Sequence, residues 1–329
     1  MEEKIEKELK WAVLGTGVIA NEMVQALEKM GKKLYAVANR THSKAVEFAK
    51  KYGVEKVYDK IEDMFTDEET DIIYITTPHN THIKFMIEAL KNGKHVLCEK
   101  SITLNSEELE EAVKIAKEKN LILGEAMTIF NMPLYTELSE IVNSGKLGDV
   151  RMIQVNFGSY KEYDMNNRFF NRNLAGGALL DIGVYAISIT RLFMTSKPDN
   201  VLSQVKYAPT GVDEQASIIM MNKEQQMSTI ALTLHSKQPK RVVIACEKAY
   251  IEITEYPRAD KAKIVYTETG EIEEITAGMT ANALQYELQN MEESVKTGIN
   301  KMKLEYTIDV MDIMTKLRKE WGMTYPEEE

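Results

Sequence analysis

The chain has 329 residues, 44% of them hydrophobic, a formal net charge of -10 and two cysteines. That length and apolar content predict two packed domains, and the charge argues against a general nucleic-acid surface, since the basic clusters at 32–33 and 237–241 are short and local. Cys98 and Cys246 are too few for a disulfide scaffold and lack the paired spacing of a metal site, so a reducing, cytoplasmic setting is expected. The charged start Met1-Glu2-Glu3-Lys4 does not read as a signal peptide. The longest apolar stretch, 178–194, is interrupted by Asp181 and Arg191 and reads as too short to cross a bilayer, so no membrane role is expected.

From residue 11 to residue 125, apolar runs of strand length alternate with segments of helical period. Strands are predicted at 11–14, 34–38, 71–76, 95–98 and 121–125, and helices at 18–30, 43–52, 81–92 and 106–119. Such alternation is the pattern of a parallel sheet with helical crossovers. Gly31, Gly53 and Gly93 fall just past predicted helix ends, and Ser106 with Glu107 and Glu108 suits a helix start.

Beyond residue 125 the strands follow one another at 150–157, 216–221, 229–235, 241–246, 249–253 and 263–266, which predicts a mostly antiparallel sheet. Helices at 133–144 and 177–194 would cover one face of it. Both side-chain parities of Ala216-Ser217-Ile218-Ile219-Met220-Met221 are mostly apolar, so the opposite face should also be covered, and a second copy of the chain would do this as a homodimer. The last helical stretches are 283–297 and 304–321; the latter can pack back on the first domain. The fold class is therefore α/β, with a doubly wound Rossmann domain over 1–125 followed by an α+β substrate-binding and dimerisation domain over 126–329.

Gly15-Thr16-Gly17-Val18-Ile19-Ala20 occupies the turn between the first strand and the first helix. Gly15 permits the tight turn, Gly17 lets a pyrophosphate approach the backbone, and Ala20 lets the helix pack close to the sheet. The helix-start amides, from Thr16 to Ile19, would then face phosphate groups. At the end of the second strand an NAD enzyme commonly carries an acid, whereas this chain has Asn39 and Arg40, followed by Ser43 and Lys44. Nothing there repels a ribose phosphate and Arg40 can pair with one, so NADP is favoured; NAD remains open, with Arg40 stacking on adenine.

Glu99 and Lys100 lie directly after the strand at 95–98, on the carboxyl edge where an open α/β sheet places its ligands. A lysine there can stabilise an alkoxide and exchange a proton with it. The run Gly176 to Tyr185 begins an apolar helix on which Asp181 and Tyr185 share a face, and an acid on such a helix needs a partner. Tyr185 also reads as a core residue with a satisfied hydroxyl. Thr76-Thr77-Pro78-His79-Asn80-Thr81-His82 would line the nicotinamide pocket, with one of its two histidines structural. His79 and His82 lack a third ligand, so no metal is expected. Arg168, Phe169 and Phe170, in the loop 160–173, are candidates for the substrate pocket.

Taken together, GTGVIA, TPHNTH, GKHVLCEK and GGALLDIGVY resemble, in order and spacing, the Gfo/Idh/MocA family of NAD(P)-dependent oxidoreductases. The similarity is greatest to its dimeric dihydrodiol dehydrogenase branch, also called NADP-dependent D-xylose dehydrogenases, and extends to Gly211-Val212-Asp213 and to the run from Trp321 to Pro326. The resemblance implies hydride transfer at a sugar, polyol or cyclic diol carbon, with Lys100 on the substrate hydroxyl. It also implies a substrate domain whose open sheet often forms the subunit interface. Many members carry a catalytic histidine where this chain has Tyr185, which points away from inositol-type dehydrogenases. Ser101 replaces the proline that usually follows the lysine, and proline would stiffen that loop. Tyr185 would take the hydroxyl proton with Lys100 steadying the alkoxide, or the two roles exchange, and Asp181 would orient substrate or lysine. The competing readings are an NAD-linked inositol or polyol dehydrogenase and a non-catalytic NAD(P)-binding regulator.

Overall fold

The structure, a computed structural model, describes residues 8–329. The charged start Met1 to Lys4 lies outside them. Strands β1 (Trp11–Leu14), β2 (Ala36–Ala38), β3 (Lys56–Val57), β4 (Ile72–Ile75), β5 (His95–Glu99) and β6 (Leu123–Ala126) form one parallel sheet in the order β3-β2-β1-β4-β5-β6. Helices α1 (Val18–Lys29), α2 (His42–Tyr52), α3 (Ile61–Thr66), α4 (His82–Lys91) and α5 (Ser106–Glu118) make the crossovers. β1, β2 and β4 are buried at every position, as a sheet with both faces covered requires. Strand order reverses between β1 and β4, which opens a crevice at their carboxyl ends. The sequence reading lacks β3 and α3: a two-residue edge strand that begins on exposed Lys56 offers no apolar run. At α5 the cap is Asn105, whose side chain accepts from Glu108 N at 2.9 Å.

The chain continues through α6 (Thr128–Asn131), α7 (Pro133–Asn143) and β7 (Val150–Gly158) to a π-helical segment, Leu179–Gly183, that runs into α8 (Val184–Phe193). Seven strands follow: β8 (Asn200–Tyr207), β9 (Asp213–Met221), β10 (Met227–Thr233), β11 (Gln238–Cys246), β12 (Ala249–Thr254), β13 (Lys261–Tyr266) and β14 (Ile272–Thr276). With β7 they make an eight-stranded sheet ordered β14-β13-β12-β11-β7-β10-β9-β8, antiparallel except for the β7–β10 pair. The two strands absent from the sequence reading, β8 and β14, are its edges. Both alternate too many exposed polar residues to register as apolar runs. The stretch Arg172–Phe193 is long and apolar enough, by length and composition, to cross a membrane, which corrects the expectation that it is too short. It is instead a core element, with 78% of its apolar window buried inside the protein, and α8 lies on β7 and β10.

The final helices return to the first sheet. α9 (Ala283–Thr297) packs on α1 and α6, and α10 (Leu304–Glu320) packs on α5, α8 and β6. Glu292 of α9 accepts from Trp11 Nε1 at 3.0 Å and pairs with Lys32. Glu125 of β6 is fully buried; it accepts from Ile102 N at 3.1 Å and from Thr307 Oγ1 of α10 at 2.9 Å, tying the loop after β5 to the last helix.

Burial pushes the Glu125 carboxyl up to about 7 against an ordinary 4.5, with the two hydrogen bonds pulling the other way. Its contribution to stability is thus complete below pH 4.5 and is lost as the pH rises through about 7. Glu125→Gln keeps an acceptor for Ile102 N and has no charge to desolvate. Denaturant melts should show the variant gaining on the wild type between pH 5 and pH 8, by about 1–3 kcal/mol at the upper end.

Candidate active site

One cleft of about 410 Å³ gathers residues from both halves of the chain. Gly17, Val18, Ile19, Thr76, Thr77, Pro78, His79, Glu99 and Lys100 form one wall, with Arg168, Phe169, Leu174, Ala175, Gly176 and Asp181 opposite. The glycine turn is built by two different constraints. Gly15 N donates to Ala38 O at 2.8 Å, its φ is +112°, and a Cβ there would run into Thr76 Oγ1 and stand 3.2 Å from Thr76 O. Gly17 has an ordinary backbone and nothing within 4 Å of where its Cβ would be. Its lack of a side chain leaves a cradle at the start of α1, where no side chain caps the first-turn amides and no acid competes for them. Val18, apolar and 78% exposed, projects from the same turn. These features fit a dinucleotide, with its pyrophosphate against the amides and an apolar contact from Val18.

Lys100 is held from two sides. Its Nζ donates to Asp181 O at 2.6 Å, lies 3.4 Å from Asp181 Oδ1 and sits 4.8 Å from the centre of the Tyr185 ring. Ser101, completely buried, donates from Oγ to Leu180 O at 2.9 Å. Leu180 and Asp181 belong to the π-helical segment, and their carbonyls accept from outside the helix. On the other side, His79 Nε2 donates to Lys100 O at 3.0 Å, and the His82 ring nitrogens lie 3.0 Å from Ser101 O and 2.7 Å from Thr77 O. The Lys100–Ser101 peptide is cis. The side chain of Ser101 and the carbonyl of Lys100 are both tied by hydrogen bonds, so a serine in place of proline does not leave this loop unrestrained.

The charges follow from this packing. Burial pulls the Lys100 ammonium down, but Tyr185, Asp181 and Glu99 outweigh it and raise its pKa, so Lys100 is protonated at neutral pH. Burial pushes Asp181 up, yet the positive charges of Lys100 and Arg168 hold it below the ordinary carboxylate range. Burial raises the Tyr185 phenol, against the pull of Lys100. His79 is driven down to about 3 by burial and by the neighbouring His82 and Lys100, so it is neutral and donates through Nε2. Glu99 is raised by burial while Tyr74, which donates to it, works in the opposite sense.

Several predicted residues stand off the cleft. Phe170 is fully buried against Tyr163, so it belongs to the core and does not border the pocket. His82 is buried behind the lysine loop. Tyr185 meets Lys100 through its ring and is absent from the cleft wall. Thr16 is half-buried beside the turn; Asn39, whose side chain donates to Thr41 O at 3.0 Å, follows β2 with exposed Arg40 and Ser43. Among the described residues no cluster of three or more His, Cys, Asp or Glu side chains is placed to hold a metal. The wall from Leu174 to Gly176 escaped the sequence reading, and only the glycine pair at 176–177 signalled it. Gly177 (φ +126°) lies where a Cβ would strike Asp213, a buried acid pushed up to about 7 by desolvation that accepts from Leu179 N at 2.6 Å and so fixes the start of the π segment.

A glycine cradle at a switch point, faced by a buried lysine–carboxylate pair, defines a dinucleotide-dependent oxidoreductase. Residues 9–127 match an oxidoreductase family model with an NAD-binding Rossmann fold, and residues 135–252 match the Gfo/Idh/MocA C-terminal domain. The chain belongs to the Gfo/Idh/MocA family of NAD(P)-binding oxidoreductases. It is 30% identical to a trans-1,2-dihydrobenzene-1,2-diol dehydrogenase of Xenopus laevis, over 96% of this chain and 99% of that one. The human enzyme of the same name is 27% identical over 97% and 99%. Similar solved structures include the 3-ketoreductase KijD10 of Actinomadura kijaniata with NADP and TDP-benzene (TM-score 0.85, 18% identity, 95% and 98% covered). Another is an aldose-aldose oxidoreductase of Caulobacter crescentus with glycerol (TM-score 0.85, 20% identity, 96% and 98% covered).

The two glycines should separate experimentally. Gly15→Ala strains the turn and collides with Thr76, so its thermal midpoint should fall by several degrees, for a cost of about 1–3 kcal/mol. Gly17→Ala should melt like the wild type yet bind NADPH at least about tenfold more weakly in a fluorescence titration, because the added methyl occupies only the cradle.

Proposed function

We propose that this protein is an NADP-dependent dehydrogenase that interconverts a secondary alcohol of a sugar, polyol or cyclic diol with its ketone. The observation that carries the proposal is the position of Lys100, charged, clamped at backbone and side chain, and lining the same cleft as the glycine cradle. The diol named in the relatives and the sugar chemistry named in the similar structures support a polyhydroxy substrate. Exposed Arg40 and Ser43, with no acid at the end of β2, support NADP over NAD. In this reading residues 1–125 hold the dinucleotide and 126–329 the substrate, in a cytoplasmic homodimer.

The bound dinucleotide supplies a two-electron acceptor or donor for the carbinol carbon; Gly17, Val18, Thr77, Pro78 and Glu99 would hold it. Lys100 places its ammonium against the substrate oxygen and stabilises negative charge there in a water-poor pocket. For ketone reduction it delivers the proton to that oxygen. For alcohol oxidation the same amine, after losing its proton to solvent, takes the proton of the hydroxyl. Asp181 holds the ammonium through its carbonyl and carboxylate and accepts from a substrate hydroxyl. Tyr185 supports the lysine by its ring and lends it negative potential, a role its placement favours over proton transfer. His79, His82 and Ser101 keep the lysine's backbone in place.

Lys100→Ala should lower kcat/KM by about a thousandfold, equivalent to about 4 kcal/mol of transition-state stabilisation, while NADPH affinity stays within about twofold. Turnover near the wild-type rate in that variant would remove the proposal. The dimer is supported by the uncovered face of the eight-stranded sheet, where Leu202, Ile219, Met227 and Tyr250 are exposed. Sedimentation equilibrium should find two copies associated, and Ile219→Lys should shift the population to single chains.

A further inference from the structure

The chain is acidic overall, yet three cations gather on the substrate side of its cleft, Lys100 and Arg168 in the wall and Lys161 over the ring of Phe169. Lys100, Lys161 and Arg168 converge on Asp181. Lys100 Nζ is 3.4 Å from Oδ1 and an Arg168 Nη is 3.8 Å from the same oxygen; Lys161 stands near enough that Asp181 is the chief charge supporting its ammonium against burial. Asp181 is thus shared by all three cations. The next cation outward, Lys240, already has Glu255 at 3.0 Å.

Lys161 and Arg168 spend their remaining charge on an aromatic ring. Lys161 Nζ lies 4.1 Å and the Arg168 guanidinium carbon 4.3 Å from the centre of Phe169, which is part of the cleft wall. Among the described residues Lys161 has no carboxylate within ion-pair distance, although it is half-buried. Holding an ammonium partly out of water without a counter-charge is unfavourable, and ring contacts recover only part of that cost. A neutral diol or aldose, offering hydroxyls alone, would leave the excess in place. The cofactor's pyrophosphate does not need these two residues, since the cradle at Gly17 provides amides for it across the cleft.

We propose that the substrate carries an anionic group, a carboxylate or a phosphate, bound by Lys161 and Arg168 beside Phe169 while its carbinol carbon lies at Lys100. This rests on the dehydrogenase reading above and narrows it to acidic or phosphorylated sugars and polyols. Arg168 supplies a planar fork for two oxygens, and Lys161 a point charge from earlier in the same segment after β7.

The test is isothermal titration of the NADP-loaded protein with three matched probes: D-glucose, D-glucuronate and D-glucose 6-phosphate. At least one anion should bind about tenfold or more tighter than glucose, and the gain should shrink when NaCl is raised from about 0.05 to about 0.5 M. Lys161→Gln and Arg168→Gln should each bring the anion close to glucose, and the better of the two anions distinguishes carboxylate from phosphate. Equal binding of all three probes overturns the proposal, as does an anion preference unchanged in both variants. A loss of NADPH affinity in the variants also overturns it, by assigning these cations to the cofactor. Absorbance assays with the same probes, and with a neutral cyclic diol, separate this from the parent reading: oxidation of the neutral diol with no anion preference sinks only the present inference. An anion preference without oxidation of any alcohol sinks only the dehydrogenase.

Discussion

Everything at this site depends on two residues, Lys100 and Ser101, being held between elements that belong to different sheets. Their carbonyls face the histidines at the start of α4, and their side chains reach the carbonyls of the π segment ahead of α8. These contacts tie the lysine loop to both surfaces at once. A lysine presented on an ordinary surface loop would swing among rotamers. Here the side chain has one place to go, and the carboxylate next to it is fixed by the same contact.

Much of this was legible in the residues. The glycine turn, the lysine after β5 and the acid on the apolar helix can be read because each breaks a simple rule: glycine where a helix should start, charge at a strand end, charge inside a hydrophobic face. Elements without such a breach were invisible. β3, β8 and β14 are edge strands with exposed polar residues, and periodicity sees only what is buried. Phe170 looked like a companion of Phe169, but successive residues in a loop need not face the same way, and one lines the cleft while the other fills the core. Ser101 read as a loss of stiffness, because a hydroxyl's partner eighty residues away leaves no mark in the local sequence. Glu125 gave no signal either, since its partners, Ile102 and Thr307, come from distant parts of the chain.

Several acids lie in the interior. Glu99, Glu125, Asp213 and Glu287 are all raised by desolvation, and Glu99 and Glu125 flank the strand ends from which the lysine loop departs. Burial thus favours the uncharged form of each. The charged members of the site, Lys100, Asp181 and Arg168, are thereby gathered at the cleft and not diluted through the core.

The return of α9 and α10 to the first sheet has a bearing on how the chain is made. During synthesis the six strands of that sheet leave the ribosome well before the helices that shield them, and Trp11 must wait for Glu292, nearly three hundred residues later, to receive its hydrogen bond. The outer surfaces of α1, α5 and β6 are therefore covered only once the last helices have emerged, so a nascent chain stalled short of them would expose those surfaces.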